Sequence, residues 1–343
     1  MTDANSYLSN MTLDTKALLQ RTRKQDFPLS LSTGKMGICL SLYILGKKLN
    51  NKTYQSDAFD LLNDILENID RIASLDIKHG ITGIGIGLNY LLSNKYIEGD
   101  INYILKDMDN LILKNLNPKN DIEFDVNIIL DMLHYMAVRL SNTALKKDEQ
   151  FLFRETSIEY INKLSFRLDG SFFEECIPFS IESKIAQLLY ILNLYFKLDF
   201  YNNRLSSIIH EISYKLFSFL PILHSNKLLL LGAMSHIKQY IETTDWQHHI
   251  DILKNDFNVD TVIRQELRQK NISVSNGAAG IFLALELSKN EFSKHEYEAI
   301  RNKLLYHFNS AELEQKISEP NESTGSFLYG ELGALTIYAM SEL

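Results

Sequence analysis

The segment from His79 to Leu92, HGITGIGIGLNYLL, decides how the rest of the chain is read. It sets two glycines three residues apart, Gly80 and Gly83, at the head of a run with few polar residues. A helix that is apolar all round belongs in an interior rather than on a surface. The same pattern returns as TGKMGICLSLYIL from Thr33, NGAAGIFLALEL from Asn276 and YGELGALTIYAM from Tyr329, so four pairs take eight of the 15 glycines. The first glycine of each pair is expected to supply a positive φ where the chain turns into the helix. The second is expected to admit another backbone against the first helical turn.

Gly34 and Gly80 lie 46 residues apart, and Gly277 and Gly330 lie 53 apart. At that period the interval between Gly80 and Gly277 holds three more units without glycine pairs, whose apolar segments are placed at residues 123–140, 181–195 and 228–241. Between the apolar segments run stretches of opposite character. In DAFDLLNDILENIDRIAS, Ala58, Leu62, Ile65, Leu66, Ile69 and Ile72 follow the spacing of a one-faced helix, and Asp60, Asn63, Asp64, Glu67 and Asp70 form its wet side. Similar stretches occur near 9–23, 100–115, 147–166, 203–219, 245–268 and 293–311. Repeats of this length build solenoids or closed arrays. An open solenoid needs polar caps, yet the last unit, GALTIYAM, is as apolar as the middle ones. The expected architecture is all-α: an (α/α)7 toroid of seven inner and seven outer helices, forming one domain over residues 1–343, with the inner-helix N-termini converging at one end.

Composition narrows the function classes. With 45% hydrophobic residues and only 5 prolines, the 343-residue chain has material for a large core of long regular elements. A net charge of −8 leaves no electrostatic footprint for nucleic acid. Two cysteines cannot form a disulfide framework, which points to a reducing cytoplasm. The N-terminal MTDANSYLSN has neither the basic nor the apolar region of a signal peptide. No apolar run approaches the roughly 20 residues of a membrane span.

Seven helix pairs with GxxG at inner-helix starts resemble the lanthionine synthetase C-like (lantibiotic cyclase) family, over essentially the whole chain. HGITGIG and NGAAGIF match that family's repeat motif, and Asp125-Val126 falls where its third repeat carries an Asp-Val pair. The resemblance implies peptide thioether chemistry, in which zinc held by two cysteines and a histidine binds a substrate thiol as thiolate. A free thiol, with a pKa near 8.5, is mostly protonated at neutral pH, and a metal removes that proton. The ligands do not carry over. Ser275-Asn276-Gly277 stands where the family has Cys-His-Gly, Leu230 ahead of Gly232 where it has a cysteine, Phe179-Ser180 where it has His-Gly, and Asn226 near an expected arginine. The expectation is therefore a protein without metal or other cofactor. It would bind a precursor peptide, or a partner enzyme such as a dehydratase, in the making of a ribosomally synthesised modified peptide.

The candidate residues each have an ordinary role beside the functional one. Ser275 and Asn276 are good helix caps and poor zinc ligands. Asp125 suits an N-cap as well as a pocket, and His79 suits a loop hydrogen bond as well as acid/base work. Asp125 with His79 would serve a metal-independent peptide cyclase. Asp125 with Glu182 or Glu331 would serve a carbohydrate-active toroid, whose chemistry needs two carboxylates. Tyr329, Glu331, Glu182, Ser275 and Asn276 are the expected substrate-binding set. Cys39 reads as core, and Cys176, beside Glu174 and Glu175, has neighbours that raise a thiol pKa.

Overall fold

A computed structural model describes residues 15–24, 26–115, 125–142, 145–174, 178–241, 243–267, 271–308 and 325–341. Every long element among them is a helix. In chain order these are α1 (Thr15–Thr22), α2 (Lys35–Lys48), α3 (Lys52–Glu67), α4 (Ile81–Ser93), α5 (Ile101–Asn115), α6 (Val126–Leu140) and α7 (Lys147–Ser165). They continue as α8 (Lys184–Lys197), α9 (Asn202–Ser218), α10 (His224–Ile237), α11 (Thr244–Asp256), α12 (Ala278–Ser288), α13 (Lys294–Phe308) and α14 (Glu331–Ser341). The even-numbered helices are the apolar segments of the repeat and the odd-numbered ones the amphipathic stretches. None of the described helices is long and apolar enough to cross a membrane.

The contrast between the two kinds is a contrast in burial. In α2 every residue from Lys35 to Gly46 is buried. In α3 only Tyr54, Ala58, Leu61, Leu62 and Ile65 are buried, one stripe at helical spacing. Asn51 fixes where α3 begins, its side chain accepting from the N–H groups of Thr53 and Tyr54. The stripe ends sooner than its sequence pattern suggests: Leu66 is 38% exposed, because α3 stops at Glu67 and the chain turns through a short 3-10 segment, Ile69–Arg71.

The chain divides into two compact units. The first comprises residues 1–112, 272–279 and 305–343. Within it α2 packs on α3, α4 and α14, so the first and last buried helices are neighbours. The second comprises residues 113–271 and 280–304. There α8 packs between α6 and α10, with α7, α9 and α11 among the helices laid against them. Tyr195 of α8 ties three of these together, its hydroxyl lying 3.0 Å from Leu133 O and 2.9 Å from Ser157 Oγ. Trp246 of α11 is fully buried and donates its indole N–H to Met234 O of α10 at 3.1 Å. Each unit also has a lysine at a buried helix reaching an aspartate on the next amphipathic helix at the same 29-residue spacing, Lys35 to Asp64 and Lys227 to Asp256.

The glycine pairs work differently from expectation in one respect. Gly34 and Gly80 have φ of −112° and −104°, so no left-handed backbone is needed at the helix start. What excludes a side chain is space. A Cβ on Gly80 would collide with the Ser74 and Asp76 carbonyls, and one on Gly34 with the Pro28 carbonyl. The second glycines behave as expected: a Cβ on Gly37, Gly83 or Gly333 would overlap the backbone carbonyl of Leu31, Ile77 or Phe327. The units without glycine pairs begin elsewhere than their apolar runs suggest. Helix α10 starts at His224 rather than 228, which puts Gly232 inside it, packed against Leu287. The position ahead of Gly232 is therefore not a helix start, and Leu230 lies within α10.

Candidate functional site

The four glycine-pair loops of the first unit form one hydrogen-bonded assembly. Each has the same offsets from its first glycine, and the residue two before that glycine does the joining. Ser275 N–H donates to Leu328 O (2.8 Å), Leu328 N–H to Ser32 O (3.1 Å), and Ser32 N–H to Lys78 O (3.1 Å). The relay runs in one sense, and it passes from the C-terminal loop to the N-terminal loop by the same bond that joins the others. Side chains reinforce it: Ser326 Oγ donates to Ser32 O at 2.8 Å and Ser32 Oγ to Lys78 O at 2.7 Å.

A second position repeats four residues before each first glycine, as Ser30, Asp76, Ser273 and Ser326. Its side chain closes the turn on the residue just before the glycine. Asp76 Oδ1 accepts from His79 N–H (2.7 Å), Ser326 Oγ from Tyr329 N–H (3.0 Å) and Ser273 Oγ from Asn276 N–H (3.5 Å), while Ser30 Oγ lies 3.4 Å from Thr33 Oγ1. Short Ser and Asp side chains are the types that make such turns. Sequence reasoning missed these four residues. Laying the glycine pairs over one another, rather than reading forward from each, would have exposed them.

This construction leaves the residue before each first glycine to face outward. Around the relay these are Asn276, Tyr329, Thr33 and His79; Asn276 and His79 are exposed, Tyr329 is 42% exposed and Thr33 half-buried. Three of the expected site residues, His79, Asn276 and Tyr329, thus come together with Thr33 on one set of joined loops. Ser275 is there too but buried, contributing backbone to the relay rather than its side chain to the surface. Glu331, the first residue of α14, is 9% exposed, with Oε2 lacking a hydrogen-bond partner among the described residues.

The chemistry of this face is that of amide, hydroxyl, phenol and imidazole groups. His79 Nδ1 lies 3.4 Å from Ser32 Oγ, but the serine hydroxyl already donates to Lys78 O. The imidazole therefore meets an oxygen whose proton points away, the reverse of what a base activating a nucleophile requires. With Nδ1 turned to Ser32, Nε2 is left as the outward nitrogen. Among the described residues no group of three or more His, Cys, Asp and Glu side chains could hold a metal ion.

The remaining expected residues lie in the second unit. Asp125 is an exposed N-cap of α6, accepting from the N–H of Asn127 at 2.7 Å and from its Nδ2 at 2.5 Å. Glu182 sits in the turn before α8, where its N–H donates to Ser180 Oγ at 3.2 Å. Cys39 is fully buried, its thiol pushed far up by burial and directed to Ala58 O. Cys176 falls outside the described residues. The start of α10, which has no glycine pair, is capped from a distance: Glu266 accepts from the N–H groups of His224 (2.7 Å) and Ser225 (3.0 Å) and from Ser225 Oγ (2.5 Å).

Comparison with protein-family models returns no match, and comparison with curated proteins returns none either.

Proposed function

We propose that this chain is a zinc-free relative of the lanthionine synthetase C-like cyclases, a seven-repeat α/α toroid that binds a peptide at its loop end without closing thioethers. One observation carries the reading: four joined loops present Asn276, Tyr329, Thr33 and His79 side by side on a frame of backbone hydrogen bonds. Such a face offers amide, hydroxyl and imidazole groups to a peptide backbone, and an aromatic ring to a side chain. The alternation of buried and amphipathic helices, and the packing of α14 on α2, agree with a closed ring. Serine and asparagine at the positions of the resemblance's cysteine and histidine argue for binding over metal-assisted thiol chemistry.

The partner in this reading is a precursor peptide or a dehydratase-type enzyme that modifies it, in the cytoplasm. A metal-independent cyclase using Asp125 and His79 draws less support, because the Asp125 carboxylate is engaged as a helix cap. A carbohydrate-active toroid draws less again, since Glu331 is buried. The test is to mix the purified protein with the products of its neighbouring genes. Association with a precursor peptide or modifying enzyme, weakened about tenfold by Y329A together with N276A, is the expected result. No association, or association indifferent to both substitutions, defeats the reading.

A further inference from the structure

A cavity of about 720 Å3 opens in the first unit, lined by residues 23–24 and 26–29, by Lys35 just past Gly34, and by one side of α3. That volume lies within the range of small-molecule and short-peptide sites. Lys35, the first residue of α2, lines it and is 7% exposed. Its ammonium has three donors, and among the described residues its sole acceptor is the Asp64 carboxylate. Two N–H groups of a nine-tenths buried cation are thus unmatched, which is costly unless something accepts from them. Asp64 is better satisfied, taking a second bond from Asn68 Nδ2 at 3.2 Å.

The rest of the lining carries both signs of charge. Asp57 and Asp60 of α3 line the cavity together with Arg71 and Arg23, and none of these four forms an ion pair among the described residues. A purely anionic ligand would meet the aspartates and a purely cationic one the arginines. An occupant carrying both charges satisfies both sets of groups.

We propose that this cavity binds a short zwitterionic peptide segment, its carboxylate taken by Lys35 and Arg71 and its amine or guanidine by Asp57 and Asp60. The charges come from the two ends of a free oligopeptide or from acidic and basic side chains within a longer one. The proposal is independent of the loop-end reading, and Y329A leaves it untouched.

Calorimetric titration of the full chain tests it with three probes: unblocked Ala-Ala-Ala, Lys-Ala-Glu blocked at both ends, and Ala-Ala-Ala blocked at both ends. Saturable binding of the first assigns the site to peptide termini, and of the second to side chains; the neutral third probe does not bind. Binding is expected to weaken about tenfold in R71Q and in the D57N/D60N double variant, and to weaken with added salt. These side chains are solvent-facing, so an unchanged melting temperature certifies the fold. Absence of saturable heat from both charged probes, equal binding of the neutral probe, or affinity unchanged in both variants overturns the proposal.

Discussion

At the scale of single residues, the repeat is enforced by exclusion. Gly83 has no room for a methyl because the Ile77 carbonyl occupies its place, whereas Gly170 has open space around its would-be Cβ and right-handed backbone angles. G83A is therefore expected to cost about 2 kcal/mol or more, since a backbone carbonyl must move. G170A is expected to be neutral or slightly stabilising, through loss of unfolded-state freedom. Urea melts of the pair, compared at equal m-value, check this. A second residue-scale consequence concerns pH. His134 of α6 lies edge-on to Tyr190 at 5.5 Å, with Asp131 one turn earlier on its own helix bonded to Gln187, and burial pushes its imidazole down to about 4. Between that value and the ordinary 6.5, the unfolded chain binds a proton that the folded chain refuses. Stability is then full above the unfolded value and falls as pH drops toward the folded one. Part of the ring keeps contact with solvent, so the effect is discounted to about 1–2 kcal/mol. H134Q is expected to flatten the decline in stability between neutral pH and about pH 5, measured by denaturant midpoint.

At the scale of elements, the helices announced themselves and their starting points did so only in part. Where a glycine pair stands, apolar run and helix coincide: Gly80 precedes α4 and Gly330 precedes α14. Where it is missing, the reading drifted, by four residues at α10, because the start there is set by Glu266 from a distant segment. No local pattern reveals a cap supplied from 42 residues away. The expected consequence is that E266A strands two backbone donors and one hydroxyl at the start of α10. It should cost about 2–3 kcal/mol, more than the roughly 1 kcal/mol of an ordinary cap deletion such as D125A. Amide exchange would localise the loss to the first turn of α10. The outward loop positions were legible because they adjoin the glycines. The serines and aspartate that shape those loops were not, since each reads as an unremarkable polar residue until the four loops are superposed.

At the scale of the molecule, the two ends of the described chain depend on each other. Helix α14 packs on α2, Ser326 and Leu328 bond to Ser32, and a Cβ on Gly325 would press on Leu18 of α1. Removing residues 325–341 would uncover an apolar side of α2 and open the loop relay at its middle. Such a truncated chain is expected to lose cooperative unfolding in the first unit, seen as a broadened or split thermal transition, whereas removing an equal length of exposed surface would not do so. A sharp transition at the original midpoint would show that the ends contribute little.

The loops grip one another through main-chain amides, while the outward side chains of Thr33, His79 and Asn276 touch serines of the same loop assembly: Ser30, Ser32 and Ser273, whose Oγ donates to Asn276 Oδ1 at 2.8 Å. Residues 33, 79, 276 and 329 are fittings on a mount that the main chain holds. A library randomised at those positions should keep its fold while its choice of ligand wanders, so specificity in this protein can drift without first loosening the structure that displays it.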